Sequence, residues 1–195
     1  MNKDQIHIEI LGLQHFCIKD KNPIEKIKQK YSISNLSEVQ ILNKIDWNFL
    51  YEQDDDSKNF ILLTDLNDWS YFIWKYWDFE FNINFAKELS EILKSTVNYY
   101  FVDSNIATSR WIFANEGEIT RSYFESHGQK LSDFGFNETE VKLRETIKET
   151  FVEDIFWDLY EKTCLSLEYV NNQKVKELKL YSGTLGNIKK TANSY

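Results

Sequence analysis

The stretch that decides the fold runs from Val97 to Phe124, VNYYFVDSNIATSRWIFANEGEITRSYF. Val97 to Val102 is dense in β-branched and aromatic residues, which suit a pleated, half-buried surface and predict a strand. Asp103 to Thr108 reads as a loop, and Ser109 to Ala114 as a second strand. Asn115-Glu116-Gly117 then reads as a three-residue hairpin loop with Gly117 in the left-handed conformation. Such a loop pairs Ala114 with Glu118, Phe113 with Ile119 and Trp111 with Arg121. A slip of one residue would oppose Phe113 to Thr120 and Trp111 to Ser122 and lose both good contacts, so the first register is expected. It places Arg121 over Trp111, a cation–π contact of about 0.5–2 kcal/mol.

The pattern extends towards the N-terminus. Phe60-Ile61-Leu62-Leu63 is a short apolar run ended by a turn at Asp65-Leu66-Asn67-Asp68. Trp69 to Trp77 then puts Trp69, Tyr71, Ile73 and Trp77 on one face and Phe72, Trp74 and Tyr76 on the other. A strand apolar on both faces is central and covered on both sides. Asn84 is the expected cap of a helix whose buried face carries Phe85, Leu89, Ile92 and Leu93. Further upstream, Ile6, Ile8 and Ile10 alternate with His7 and Glu9, the period-two pattern of a strand ended by Gly12. Gln14 to Lys19 reads as another short strand. Asn22-Pro23 opens a helix with Pro23 at its first position, where a missing N–H costs nothing, and Ile24, Ile27 and Tyr31 form its apolar face.

Towards the C-terminus, Gly128 and Gly135 fall in a predicted loop. Asn137 followed three residues on by Glu140 approximates a capping box, so a helix starts there. Val141, Leu143, Ile147, Phe151, Ile155, Phe156 and Leu159 continue at helical spacing to about Cys164, with a break near Phe151. Leu167 to Val170 and Val175 to Tyr181 form a predicted closing hairpin around Asn171-Asn172. The polar tail from Ser182 is expected to fray. Together these elements predict one α+β domain spanning residues 1–195: a mostly antiparallel sheet of five or more strands with two to four helices packed on it.

Composition narrows the function classes. The chain has 195 residues, with 31 acidic against 23 basic side chains and a net charge of −8. That balance argues against a nucleic-acid partner, whose binding rests on neutralising phosphates. With 42 % hydrophobic residues the chain can bury a sizeable core. No apolar run reaches the length of a membrane span, and no signal-peptide pattern follows Met1, so a cytoplasmic protein is expected. Cys17 and Cys164 are then expected to be free thiols.

Chemical motifs are weak. Gly183-Thr184-Leu185-Gly186 lacks the Lys-Ser/Thr of a phosphate loop. His7, His15, Cys17 and His127 do not form the closely spaced ligand pairs of a zinc site, so no metal or cofactor is expected. Cys164 lies on the apolar side of its predicted helix, where a cysteine is an inert core residue. Glu140-Val141-Lys142 and Glu177-Leu178-Lys179 match the Glu-x-Lys triplet of metal-dependent nucleases. The first is explained by helix capping and exposure, and the second has only the distant Asp154 or Asp158 upstream. Glu153 and Asp154 point to different sides of a helix, against a glycosidase pair. No catalytic residue is assigned, and an enzyme is not expected.

The order of features from Trp69 to Tyr123 carries a resemblance. A strand led by Trp69 precedes a helix with Leu89-Ser90-x-x-Leu93. A Tyr99-Tyr100 strand, a hairpin strand with Trp111, and Gly117 leading to Arg121-Ser122-Tyr123 follow. This pattern resembles small Trp-rich bacterial proteins of the kind associated with polymorphic-toxin immunity. The resemblance implies a non-enzymatic, immunity-type inhibitor that occludes a toxin or effector. The acidic balance favours a basic protein partner, since complementary charge speeds encounter. The expected partner surface combines Asp54, Asp55 and Asp56 with Glu116 and Glu118 at the hairpin tip. The alternative is a small-molecule or carbohydrate binder, or an enzyme, with an aromatic pocket formed by Trp69, Trp74, Trp111 and Arg121.

Overall fold

The computed structural model describes residues 14–39, 58–74, 76, 78–147, 152–164 and 179–188. The strands are Gln14–Ile18 (β1), Tyr31–Val39 (β2), Lys58–Leu66 (β3), Trp69–Trp74 (β4), Thr96–Asp103 (β5), Thr108–Asn115 (β6), Glu118–Ser126 (β7), Gln129–Gly135 (β8) and Lys179–Ile188 (β9). The helices are Ile24–Lys30 (α1), Phe79–Leu93 (α2), Glu138–Thr146 (α3) and Val152–Thr163 (α4). The strands form one antiparallel sheet in the order β2-β9-β3-β4-β1-β5-β6-β7-β8. The protein is therefore α+β, as the sequence predicts. Among the described residues no helix is long and apolar enough to cross a membrane.

Alternation along the central strands explains why both faces of the sheet are covered. On β4, Tyr71 and Ile73 join the core under α3 and α4, where Leu143, Phe156, Leu159 and Tyr160 pack. Phe72 and Trp74 join the opposite core, with Ile24 and Ile27 of α1 and Phe85, Ala86 and Leu89 of α2. A large ring buried on each side stabilises both layers by about 2–3 kcal/mol per side chain. Strand β4 ends at Trp74, before Trp77, which lies outside the described residues. The predicted Ile6–Ile10 strand is likewise outside them.

Four sequence expectations are corrected. First, α2 begins at Phe79 and is capped by Asp78, not by Asn84: the Asp78 carboxylate accepts from the Phe81 N–H at 2.9 Å. Second, the β6–β7 turn has two residues, Glu116 (φ 50°) and Gly117 (φ 89°), with Asn115 opposite Glu118 and Ala114 opposite Ile119. A bulge between Phe113 and Ala114 then sets Phe113 opposite Arg121 and Trp111 opposite Tyr123. Counting only unbulged registers misses this solution, which combines the favoured turn twist with a Trp111–Tyr123 stack, centroids 4.2 Å apart and planes 13° apart. Third, the segment between Gly128 and Gly135 is not a loop but strand β8, paired to β7. Fourth, Ser182 does not begin a frayed tail. Residues 182–188 complete β9, which lies between β2 and β3. Its polar side chains are satisfied across the ladder: Thr184 donates to Asn59 Oδ1 at 2.9 Å, and the Ser37 and Ser182 hydroxyls pair at 2.9 Å. Residues 165–178, including Asn171-Asn172, lie outside the described residues.

The expected break near Phe151 is present in that α3 ends at Thr146 and α4 begins at Val152. Asn137 caps α3 as predicted, its side chain accepting from the Glu140 N–H at 2.9 Å.

Candidate functional site

Strand β8 is an edge of the described sheet, and three large apolar side chains in it or beside it face solvent: Leu131, Phe134 and Phe136 are 55 %, 59 % and 67 % exposed. Exposed apolar groups clustered on one edge mark an interaction surface more often than scattered ones do. What makes this cluster a candidate is the polar frame that holds it in place.

That frame centres on Arg121 of β7, which is buried. Its Nε and Nη2 donate to the two oxygens of Glu140, each at 2.7 Å, in a bidentate pair. Nη1 donates to Asp133 of β8 at 2.6 Å and to the Phe134 carbonyl at 2.9 Å. Trp111 Nε1 donates to Glu140 at 2.9 Å, and Arg144, one turn along α3, donates to it at 2.9 Å. The Arg144 guanidinium also lies 4.7 Å from the centroid of the Tyr123 ring, which stacks on Trp111. One carboxylate thus ties β6 and β7 to α3, and Arg121 extends the tie to β8.

The backbone beside Phe134 and Phe136 is fixed from both directions. The Phe134 carbonyl is held by Arg121, and the Phe136 N–H donates to the Thr120 carbonyl at 3.1 Å. Between them Gly135 adopts φ +76°, and a Cβ there would stand 2.1 Å from the Thr120 oxygen. Only glycine permits that approach. Phe134, near the end of β8, and Phe136, in the short connection to α3, are therefore both presented on backbone held by hydrogen bonds.

Electrostatics keep this network in fixed charge states. Burial works against ionised Glu140, but the bonds from Arg121 and Trp111 outweigh it and hold the carboxyl below its ordinary value. Burial likewise opposes the Arg121 charge, and the bonds to Glu140 and Asp133 raise its pKa instead. Asp133 is held low by Lys130 and Arg121. Tyr123 is pushed up to about 12, chiefly by burial and then by its bond to Glu125. None of these shifts brings a group towards neutrality, where a general acid or base works best. The cluster ties β6, β7 and β8 to α3.

The sequence-predicted residues divide between several places. Glu116 and Glu118 are exposed at the β6–β7 tip, at the same end of the sheet as Phe136, whose backbone bonds Thr120. Asp54, Asp55 and Asp56 lie outside the described residues. Trp74 and Trp111 are fully buried on opposite faces of the sheet, and Trp69 packs on the Trp111 side, so the three do not line one pocket. Arg121 and Trp111 do meet, through Glu140 rather than through a cation–π stack. Glu140 itself, expected to be exposed, is only 2 % accessible. A cavity of about 230 Å³ opens where β5 leads into β6, among Asp103, Ser104, Thr108, Ser109 and Glu125, with no tryptophan in its lining.

Sequence reasoning missed Phe134, Phe136, Asp133 and Arg144. Phe134 and Phe136 alternate with Asp133 and Gly135, a short period-two signal masked by the flanking glycines. Compared with known proteins, the chain matches no family model, no curated protein and no solved structure.

Proposed function

We propose that this chain is a non-enzymatic protein-binding module, an immunity-type inhibitor that occludes a basic toxin or effector. The observation that carries the reading is the pair Phe134 and Phe136, exposed on the β8 edge while the backbone beneath them is held by Arg121 and Thr120. Rigid aromatic anchors bind with little loss of conformational entropy. Glu116 and Glu118 supply an acidic flank at the same end of the sheet, and the net charge of −8 gives long-range attraction to a cationic surface. The β8 edge, unpaired among the described residues, suits a partner that contributes an extended segment.

The test is capture by the tagged full chain from its native host, washed at low and then high salt, followed by inhibition of the purified captured protein. A stoichiometric basic protein, inhibited by the wild type and not by the Phe134→Ala, Phe136→Ala double variant, is the expected result. Inhibition that survives the double variant would move the interface elsewhere. A failure to capture any protein would overturn the reading.

A further inference from the structure

Cys17 and Cys164 are both free thiols and lie far apart in sequence, yet both belong to the packing of one hydrophobic core. Cys17 on β1 is flanked across the ladder by Asn98 of β5 and Tyr71 of β4. Both neighbours reach the end of α4. Asn98 Nδ2 donates to the Thr163 carbonyl at 2.9 Å, and the Tyr160 hydroxyl donates to that of Tyr71 at 3.2 Å. Cys164 follows Thr163 directly, and its N–H donates to the Tyr160 carbonyl at 3.0 Å. Cys164 is partly buried and packs against the same core cluster that contains Cys17. Cys17 is fully buried, whereas Cys164 is partly exposed.

We propose that Cys17 and Cys164 form a reversible intramolecular disulfide, tying β1 to the end of α4, when the protein meets a low-molecular-weight disulfide. The Cys164 thiolate attacks one sulfur of the small disulfide. That S–S bond breaks, and one small thiolate leaves and takes up a proton. The Cys17 thiolate then attacks Cys164 Sγ in the mixed disulfide and expels the second small thiol. The two protein thiols lose two electrons and two protons, and the small disulfide gains them as two thiols. Entry is through Cys164 because Cys17 has no solvent face. Burial pushes the Cys164 thiol up, so the first step is slow near neutrality and accelerates with rising pH.

The experiment treats the folded full chain with oxidised glutathione at mildly alkaline pH, quenches with acid, and reads intact mass and alkylatable thiols. The expected product is a monomer lighter by two hydrogens, with no free thiol, a Cys17–Cys164 cross-linked peptide after digestion, and full recovery on reduction. Cys17→Ser should instead retain one glutathione on Cys164, because nothing remains to expel it. Cys164→Ser should leave Cys17 unreactive in the folded protein. A wild-type chain that keeps glutathione on Cys164, links to a second molecule, or retains both thiols would overturn the proposal.

Discussion

Arg121 and Glu140 form a buried bidentate ion pair, with both nitrogen–oxygen distances 2.7 Å, that docks the first turn of α3 onto β7. Such a pair is a constraint more than a source of stability. Desolvating two charges costs several kcal/mol, which the pair recovers only while both partners are present. Here Glu140 also accepts from Trp111 and Arg144, and Arg121 also donates to Asp133 and the Phe134 carbonyl.

Removing one partner should therefore be costly. Glu140→Ala strands the Arg121 charge and should lower unfolding free energy by about 3–5 kcal/mol. The double variant Arg121→Met, Glu140→Leu should lose far less than the sum of the single changes. Urea unfolding monitored by tryptophan fluorescence measures these variants, and additive losses would show that the two groups do not act as a pair.

The pH dependence follows from the same groups. Glu140 and Asp133 have folded-state values below their ordinary ones. Their contribution is complete above the unfolded carboxylate range, about pH 4–5, and is lost as pH falls through the lower folded values. Unfolding free energy should decline on acidification below about pH 5, and less steeply in Glu140→Gln. At the alkaline end, Tyr123 is raised to about 12, so its contribution is present below about pH 10 and is lost as pH climbs towards 12. Tyr123→Phe should flatten that alkaline decline.

The two glycines at the ends of β8 should respond differently to alanine. Gly128 has φ +73° and open space where a methyl would stand, so Gly128→Ala meets only the left-handed penalty of about 1–2 kcal/mol. Gly135 has φ +76°, and a Cβ there would overlap the Thr120 oxygen at 2.1 Å. Gly135→Ala should cost about 3 kcal/mol or more and detach β8 from β7. Hydrogen exchange at Phe136, whose N–H bonds Thr120, would report that detachment locally.

Binding variants should separate from stability variants. Phe134→Ala with Phe136→Ala removes exposed rings and should shift stability by about 1 kcal/mol or less, while weakening partner affinity by about 100-fold. Glu116→Lys with Glu118→Lys should slow association about tenfold and reduce its salt dependence, leaving dissociation nearly unchanged. Surface plasmon resonance over a salt series distinguishes the two, and unchanged kinetics in both variants would place the interface elsewhere.

Much of the architecture was legible in local pattern. Alternation in Trp69 to Trp77 announced a central strand covered on both faces, Asn137 announced its helix, and Val97 to Val102 and Ser109 to Ala114 each announced a strand. These readings depend on period and propensity, which act between residues near in sequence. The bulge at Phe113 escaped because it is selected by the Trp111–Tyr123 stack and a two-residue turn together. The part of β9 from Ser182 onward escaped because the Ser182 and Thr184 side chains are satisfied by Ser37 and Asn59, distant in the chain.

The sequence by itself determined the central strands, the main helices and the acidic charge, because hydrophobic period and side-chain ionisation are local properties. Only tertiary structure decided the fate of individual polar and sulfur-bearing residues. Glu140 became a buried partner instead of an exposed helix residue because β6 and β7 bring Trp111 and Arg121 to one point beneath α3. Trp74 and Trp111 were separated by the sheet they share, and Cys17 and Cys164 came to one core because α4 packs on β5, the strand beside β1. Long-range packing sets which groups lose water and which partners replace it, and no local period encodes that exchange.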